Sequence, residues 1–126
     1  MSLNPALAPL DFFRALHSQN YQQAWECLSD RSQTGIVKLL ANSWKTHTYD
    51  ELVDMFAKGT SVAKTYWEHF SRSLDLSTWL QQQYKPLGVS GHEVIVKASP
   101  TGAHLMVYQQ GGQWKFGYLE TSLDQQ

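Results

Sequence analysis

The sequence predicts an α+β domain in which N-terminal and central helices pack on a curved C-terminal antiparallel sheet of three or four strands. Three observations carry that prediction. Apolar residues recur at helical spacing from Pro9 to about Tyr84. After Pro86 the period switches to alternation, with Gly88, Ser90 and Gly91 punctuating the change. The 126 residues suit one domain, 1–126, whose folding hides roughly two thirds of the surface that the unfolded chain exposes. The helical part is expected over 9–84 and the sheet over 88–121.

Taken in order, Pro9 suits a first helical position, and Asp11 in the first turn complements the helix dipole. That helix runs to about Ser18. Asn20 is a good N-cap for a short second helix, in which Tyr21, Ala24, Trp25 and Leu28 share one face and read as core. Ser29 or Asp30 can cap a third helix, whose inward face is expected at Ile36, Leu39, Leu40 and Trp44, with Val37 alongside. Thr48 to Glu51 has the capping-box pattern and Gly59 is a plausible stop, which bounds a fourth helix with Leu52, Val53 and Phe56 inward. Ser61 can start a fifth, with Val62, Tyr66 and Phe70 along one side and Ala63 and Trp67 widening it. Leu76, Trp79, Leu80 and Tyr84 suggest a last helix that Pro86 ends.

Val94, Val96 and Ala98 alternate with Glu93, Ile95 and Lys97, which argues for a strand. The SPTG segment, Ser99 to Gly102, has the residues of a type I turn, and Gly111-Gly112 makes a two-residue hairpin loop. That loop pairs Gln110 with Gln113, Gln109 with Trp114, Val107 with Phe116 and Leu105 with Tyr118. The core face is therefore Leu105, Val107, Trp114, Phe116 and Tyr118. A four-residue count for the SPTG loop adds Val94 and Val96 to that face. The alternative three-residue loop with a bulge would bury Glu93 and Lys97, at a cost of several kcal/mol for two unpaired charges, so the four-residue count is preferred.

With that register the second face carries Ile95, Met106, Tyr108 and Leu119 between Glu93, Lys97, His104 and Lys115. Such a half-apolar face suits either a cover of helices or an isologous homodimer through the sheet. On the core side His92 and Gln109 fall opposite one another beside Trp114. A polar pair at the end of an aromatic face is what a small-molecule pocket uses to orient its ligand. The alternative is that both lie wet and idle at strand ends. The candidate pocket residues are His92, Val107, Gln109, Trp114, Phe116 and Tyr118.

Composition narrows the remaining choices. Ten Lys and Arg against eleven Asp and Glu, with no basic run, argue against a nucleic-acid partner. Five scattered histidines, His17, His47, His69, His92 and His104, lack metal-ligand spacing, so no metal site and no cofactor is expected. The single Cys27 excludes an internal disulfide and reads as packing on the second helix. The opening MSLNPALAPL has no basic n-region and is interrupted by Pro5 and Pro9, so neither a signal peptide nor a membrane span is expected and the location is cytoplasmic. Trp44, Trp67 and Trp79 read as core rather than as a protein-docking surface.

The run LDFFRALHSQNYQQAWECLSDRSQ resembles the opening helices of the nuclear transport factor 2-like, or cystatin-like cone, superfamily: a helix, a polar turn, then the aromatic spacing of Asn20, Tyr21, Ala24 and Trp25. The closing GGQWKFGYLETSL is similar to that family's last strand. The resemblance covers the first and last thirds of the chain and implies a curved sheet wrapped around the first helix, with an internal cavity lined by Val94, Leu105, Val107, Trp114, Phe116 and Tyr118. The middle third departs from it, because Tyr49 to Tyr84 reads as helical where the family usually has an early strand pair. Catalytic members, similar to ketosteroid isomerase or scytalone dehydratase, place acidic and histidine side chains inside the cone. Here the inner face has no mid-strand carboxylate, and no catalytic residue is carried over. The resulting expectation is a non-catalytic module that binds a small apolar ligand or serves protein assembly. The alternative is an isomerase, dehydratase or hydrolase acting on a small apolar substrate, which would need Glu120, Asp11 or His92 buried beside a closed cavity.

Overall fold

In the computed structural model the described residues are 4–44, 47–60 and 62–118, Trp44 by its backbone alone. A 3-10 turn, Pro5–Leu7, leads into α1 (Ala8–His17), α2 (Tyr21–Glu26), α3 (Asp30–Trp44), α4 (Tyr49–Lys58), α5 (Val62–Ser73) and α6 (Leu76–Leu80). The strands β1 (Gln83–Ser90), β2 (Glu93–Ser99), β3 (His104–Gln110) and β4 (Gln113–Gly117) follow as an antiparallel sheet in the order β1-β2-β3-β4. Helices precede sheet, as the change of period requires.

The helix ends follow local chemistry. Asn20 Oδ1 accepts the Gln23 amide, Ser29 Oγ accepts the Ser32 amide, and Thr48 and Glu51 close both halves of a capping box. Caps of this kind are worth about 1 kcal/mol each. Gly59 ends α4 at φ 68°, and a Cβ there would lie 2.9 Å from the Gln22 backbone nitrogen. Glycine is thus required twice over, for the left-handed turn and for the close approach of α4 to α2.

The core is largely aromatic. α1 is the central helix, with contacts to α2, α5 and α6 on one side and to β3 and β4 on the other. Phe12 meets Trp67 at 5.7 Å and Phe116 at 5.4 Å between ring centres, while Phe13 stacks on Trp79 at 5.6 Å. Trp25 and Phe56, 4.7 Å apart, join α2 to α4. Offset and edge-on ring pairs of this sort add about 0.5–1.5 kcal/mol each beyond the area they bury.

Several expectations are corrected. Tyr84 does not belong to a last helix and Pro86 does not end one: α6 stops at Leu80 and the sheet opens at Gln83, not at 88. Pairing decides this, because Tyr84 sits opposite Ala98 and Pro86 opposite Val96, with a bulge between Pro86 and Gly88. Proline is tolerated there because β1 is an edge strand. The Ser99–Pro100 bond is cis, which a type I turn with proline at its second position does not contain; the loop nevertheless has the four-residue length, with the Ala98 amide donating to Ala103 O at 2.9 Å. β4 ends at Gly117, opposite Met106, so Tyr118 does not pair with Leu105. Its ring turns instead to Phe70, 5.1 Å away. Leu39 and Val53 are 61% and 37% exposed rather than core, whereas Val37 is fully buried. The buried stripe of α3 is Ser32, Ile36 and Val37, which leaves Leu39 on its flank. The expected sheet residues beyond 118, the Trp44 side chain and Ser61 lie outside the described residues.

Candidate functional site

The inner face of the sheet is packed with side chains. Val94, Val96, Leu105, Val107 and Phe116 are at most 3% exposed, and the Phe116 ring faces Phe12 and Phe13 at 5.4 and 5.8 Å. Two of the expected pocket residues, Val107 and Phe116, are therefore covered by α1. Trp114 and Tyr118 are half-buried and pack against the edge of the same core. His92 and Gln109 stand opposite one another, as the register requires: the Gln109 amide donates to His92 O at 2.8 Å, and His92 Nδ1 lies 3.1 Å from Gln109 Oε1. Both are exposed. The pair satisfies itself at the wet end of the sheet and is not enclosed by the aromatic face.

On the outer face Ile95 is 40% exposed and sits opposite Met106; Glu93 sits opposite Tyr108, and Met106 and Tyr108 are half-buried. Leu119 and Glu120 lie outside the described residues. Asp11 is half-buried in the first turn of α1. Cys27 is buried, its Sγ 3.8 Å from Gln23 Nε2, and burial pushes its thiol pKa up, the reverse of what a nucleophile needs.

A different arrangement forms among the helices. Where α1 hands over to α2, the chain turns back in a motif that closes α1: the Gln19 amide donates to Leu16 O at 3.0 Å and the Asn20 amide to Ala15 O at 2.9 Å. Such a closure needs a left-handed residue, usually glycine. Here that residue is Gln19, at φ 60°, and a side chain in this region costs about 1 kcal/mol. Beside this turn lies a cleft of about 270 Å³, lined by Leu16, His17, Gln19 and Tyr21 from one wall and by Glu68, Ser71, Arg72 and Leu76 from the other. Two other hollows among the described residues are each lined from a single helix, α5 in one case and α3 in the other. The cleft draws on four helices.

Its polar groups are only partly satisfied. Ser71 Oγ is buried with no hydrogen-bond partner among the described residues, a condition that costs about 1–3 kcal/mol when nothing answers it. Arg72 and Glu68 face each other at 3.7 Å with side chains 73% and 39% exposed, beyond hydrogen-bond reach and too wet for the pair to contribute much stability. Burial, and next the Glu68 carboxylate, hold the Tyr21 phenol above its ordinary pKa, while the Arg72 guanidinium pulls the other way. The phenol stays protonated at neutral pH and is available as both donor and acceptor. Leu16 and Leu76 supply an apolar wall. The lining carboxylate, Glu68, faces the Arg72 guanidinium. The cleft is equipped to hold a small polar molecule.

No family model, curated protein or solved structure matches the chain. No described helix is long and apolar enough to cross a membrane, and no three His, Cys, Asp or Glu side chains gather as a metal site among the described residues. By sequence Tyr21 reads as core and His17 as one of the scattered histidines, and no motif singles out Gln19, Glu68, Ser71 or Arg72. Two local signals were present. Ser71 breaks the apolar stripe that starts at Ala63 and Trp67, and Gln19 occupies the place just before an N-cap where glycine would close the preceding helix.

Proposed function

We propose that this chain is a non-catalytic small-molecule-binding module whose site is the cleft between the α1–α2 turn and α5–α6. The observation that carries the reading is the cleft itself, which four helices line and in which Glu68 and Arg72 of α5 place a carboxylate and a guanidinium on one wall. The left-handed Gln19 on the opposite wall adds to it: strain kept at a non-glycine residue is commonest where the side chain has a use. A cone-type domain, as the terminal thirds of the chain suggest by resemblance, accords with α1 lying against the sheet, but the ligand then sits on the helical side of α1 and not within the cone. The cone-family enzyme reading loses ground because His92 is exposed and paired with Gln109.

Native mass spectrometry of the purified chain, with the Ser71→Leu and Gln19→Gly variants beside it, tests this. The wild type is expected to carry a small adduct that both variants lose. Gln19→Gly should meanwhile gain about 1 kcal/mol of stability in urea unfolding, because glycine relieves the left-handed strain, so its loss of ligand cannot be ascribed to misfolding. A bare wild-type chain, or an adduct that both variants retain, overturns the reading.

A second reading, assembly through the sheet, is favoured by the exposed Ile95 and by Leu87 and Val89 on β1, which are 51% and 67% exposed. The same spectrum decides it by subunit count.

A further inference from the structure

Resting on the cleft as a binding site, we propose that its ligand is a small zwitterion: an α-amino acid with a short apolar side chain, its ammonium on Glu68 and its carboxylate on Arg72. The charges of the lining are balanced, one guanidinium against one carboxylate, and they stand on one helix face a single turn apart. Their 3.7 Å separation leaves donors of the guanidinium and lone pairs of the carboxylate unfilled. A ligand with one charge answers only one of them and pulls it away from the other. A zwitterion replaces the loose pair by two charge-assisted hydrogen bonds, which are the stronger kind. A neutral polyol gives no use to either charge.

The remaining surfaces fit the same molecule. Ser71, between the two charged residues in sequence, lines the cleft as well. Leu16 and Leu76 face the cleft as an apolar wall and suit a side chain with no polar atom to desolvate. At about 270 Å³ the cleft falls below the roughly 300–1,000 Å³ of sites for drug-sized ligands, as expected for a molecule of metabolite size.

Backbone amide NMR titration of the full chain, with leucine, 4-methylpentanoate and isopentylamine as probes, tests the class. Leucine is expected to move the Gln19, Ser71 and Arg72 amides and to saturate, with 4-methylpentanoate, which lacks only the ammonium, and isopentylamine, which lacks only the carboxylate, each weaker by about tenfold or more. Glu68→Gln should weaken leucine by a similar factor without weakening 4-methylpentanoate; Arg72→Gln should do the same with respect to isopentylamine. Neither side chain belongs to the buried core, so both variants should fold. Equal binding of leucine and either single-charge probe, or no movement of these amides at millimolar leucine, overturns the zwitterion assignment. An adduct that is lost in Ser71→Leu would still stand in that case, and only the ligand class would fall; a bare wild-type chain would remove the site itself.

Discussion

The two edges of the sheet are protected by opposite means. β4 is sealed by the segment that joins α2 to α3: the Phe116 amide donates to Cys27 O at 2.7 Å, the Ser29 amide donates to Phe116 O at 2.9 Å, and Lys115 Nζ reaches Glu26 O. Gln110 Oε1 adds a bond to the Asp30 amide at 3.0 Å. β1 is exposed from Lys85 to Ser90, with the 3-10 turn Pro5–Leu7 as its main neighbour besides β2 among the described residues. Its protection is built into the strand as Lys85, Pro86 and the bulge at Leu87, features that make an edge a poor template for another strand. The contrast teaches that an edge joined to the core by burial carries the stability of the fold, while an edge blunted by sequence is guarded against strand-to-strand association. Phe116→Ala is the strongest way to break the first. With Phe12 and Phe13 left facing a void, the loss should be about 3–5 kcal/mol, read as a fall in the urea midpoint; Val89→Ala on the other edge should change it by less than about 0.5 kcal/mol. Comparable losses at the two positions would sink the distinction.

The same contrast explains what was legible in the sequence. β3 and β4 could be registered residue by residue because the Gly111-Gly112 loop, at φ 58° and 77°, admits few geometries and because one face is buried, so alternation shows. The opposition of Val107 to Phe116 follows from that, while those of Val94 to Val107 and of His92 to Gln109 rest on the four-residue SPTG count. β1 could not be read. QYKPLGVS is exposed on both faces beyond Tyr84, so no buried face imposes a period of two, and Pro86 argues for an end where the chain in fact pairs. The helices were legible through caps and stripes, with errors at Leu39 and Val53, where a stripe wide enough to suggest burial met too little neighbouring surface. The cleft was illegible for a different reason: α1, α2, α5 and α6 come together only through tertiary packing, and no spacing along the chain joins Gln19 to Ser71. Such sites leave local irregularities, here a hydroxyl in an apolar stripe and glutamine at a glycine position.

Where β1 meets the core, the Tyr84 ring packs against it and polar bonds add to the link. The Tyr84 hydroxyl donates to Trp79 O, and Gln82 bridges Thr78 O at 3.0 Å and the Thr101 amide at 3.1 Å. Tyr84→Phe should cost about 1–2 kcal/mol, a lost hydrogen bond plus a carbonyl left unanswered, well below the effect of Phe116→Ala. Alkali sharpens the point. Burial pushes the Tyr84 phenol well above its ordinary pKa of 10.0 and raises that of Tyr66 to about 12, with the Tyr118 phenol contributing to the latter. Since the folded values exceed the unfolded ones, the stability held by these neutral phenols is complete below about pH 10 and is lost as the pH rises through the folded values. Urea unfolding should therefore weaken from about pH 10 upward, and Tyr84→Phe should flatten part of that fall. An identical alkaline slope in the variant would mean that Tyr84 takes no part in it.

The smallest expected change in stability accompanies the most visible change in behaviour. Pro86→Thr gives β1 back an amide and a residue suited to strands at its exposed edge, where nothing inside the fold depends on the proline ring. Folding stability should move by no more than about 0.5 kcal/mol. The edge, however, would then present a longer run of unpaired backbone groups beside the exposed Leu87 and Val89, the arrangement from which strand-to-strand association starts. Analytical ultracentrifugation should show stronger concentration-dependent association of the variant than of the parent chain. Replacing Leu28 by Ala, behind the sealed β4 edge, should lower stability without any such association, because the Cys27–Ser29 backbone keeps that edge paired as long as the chain is folded. If Pro86→Thr sediments like the parent at every concentration, Lys85 and the bulge suffice to blunt the edge and the proline is there only because an edge strand tolerates it.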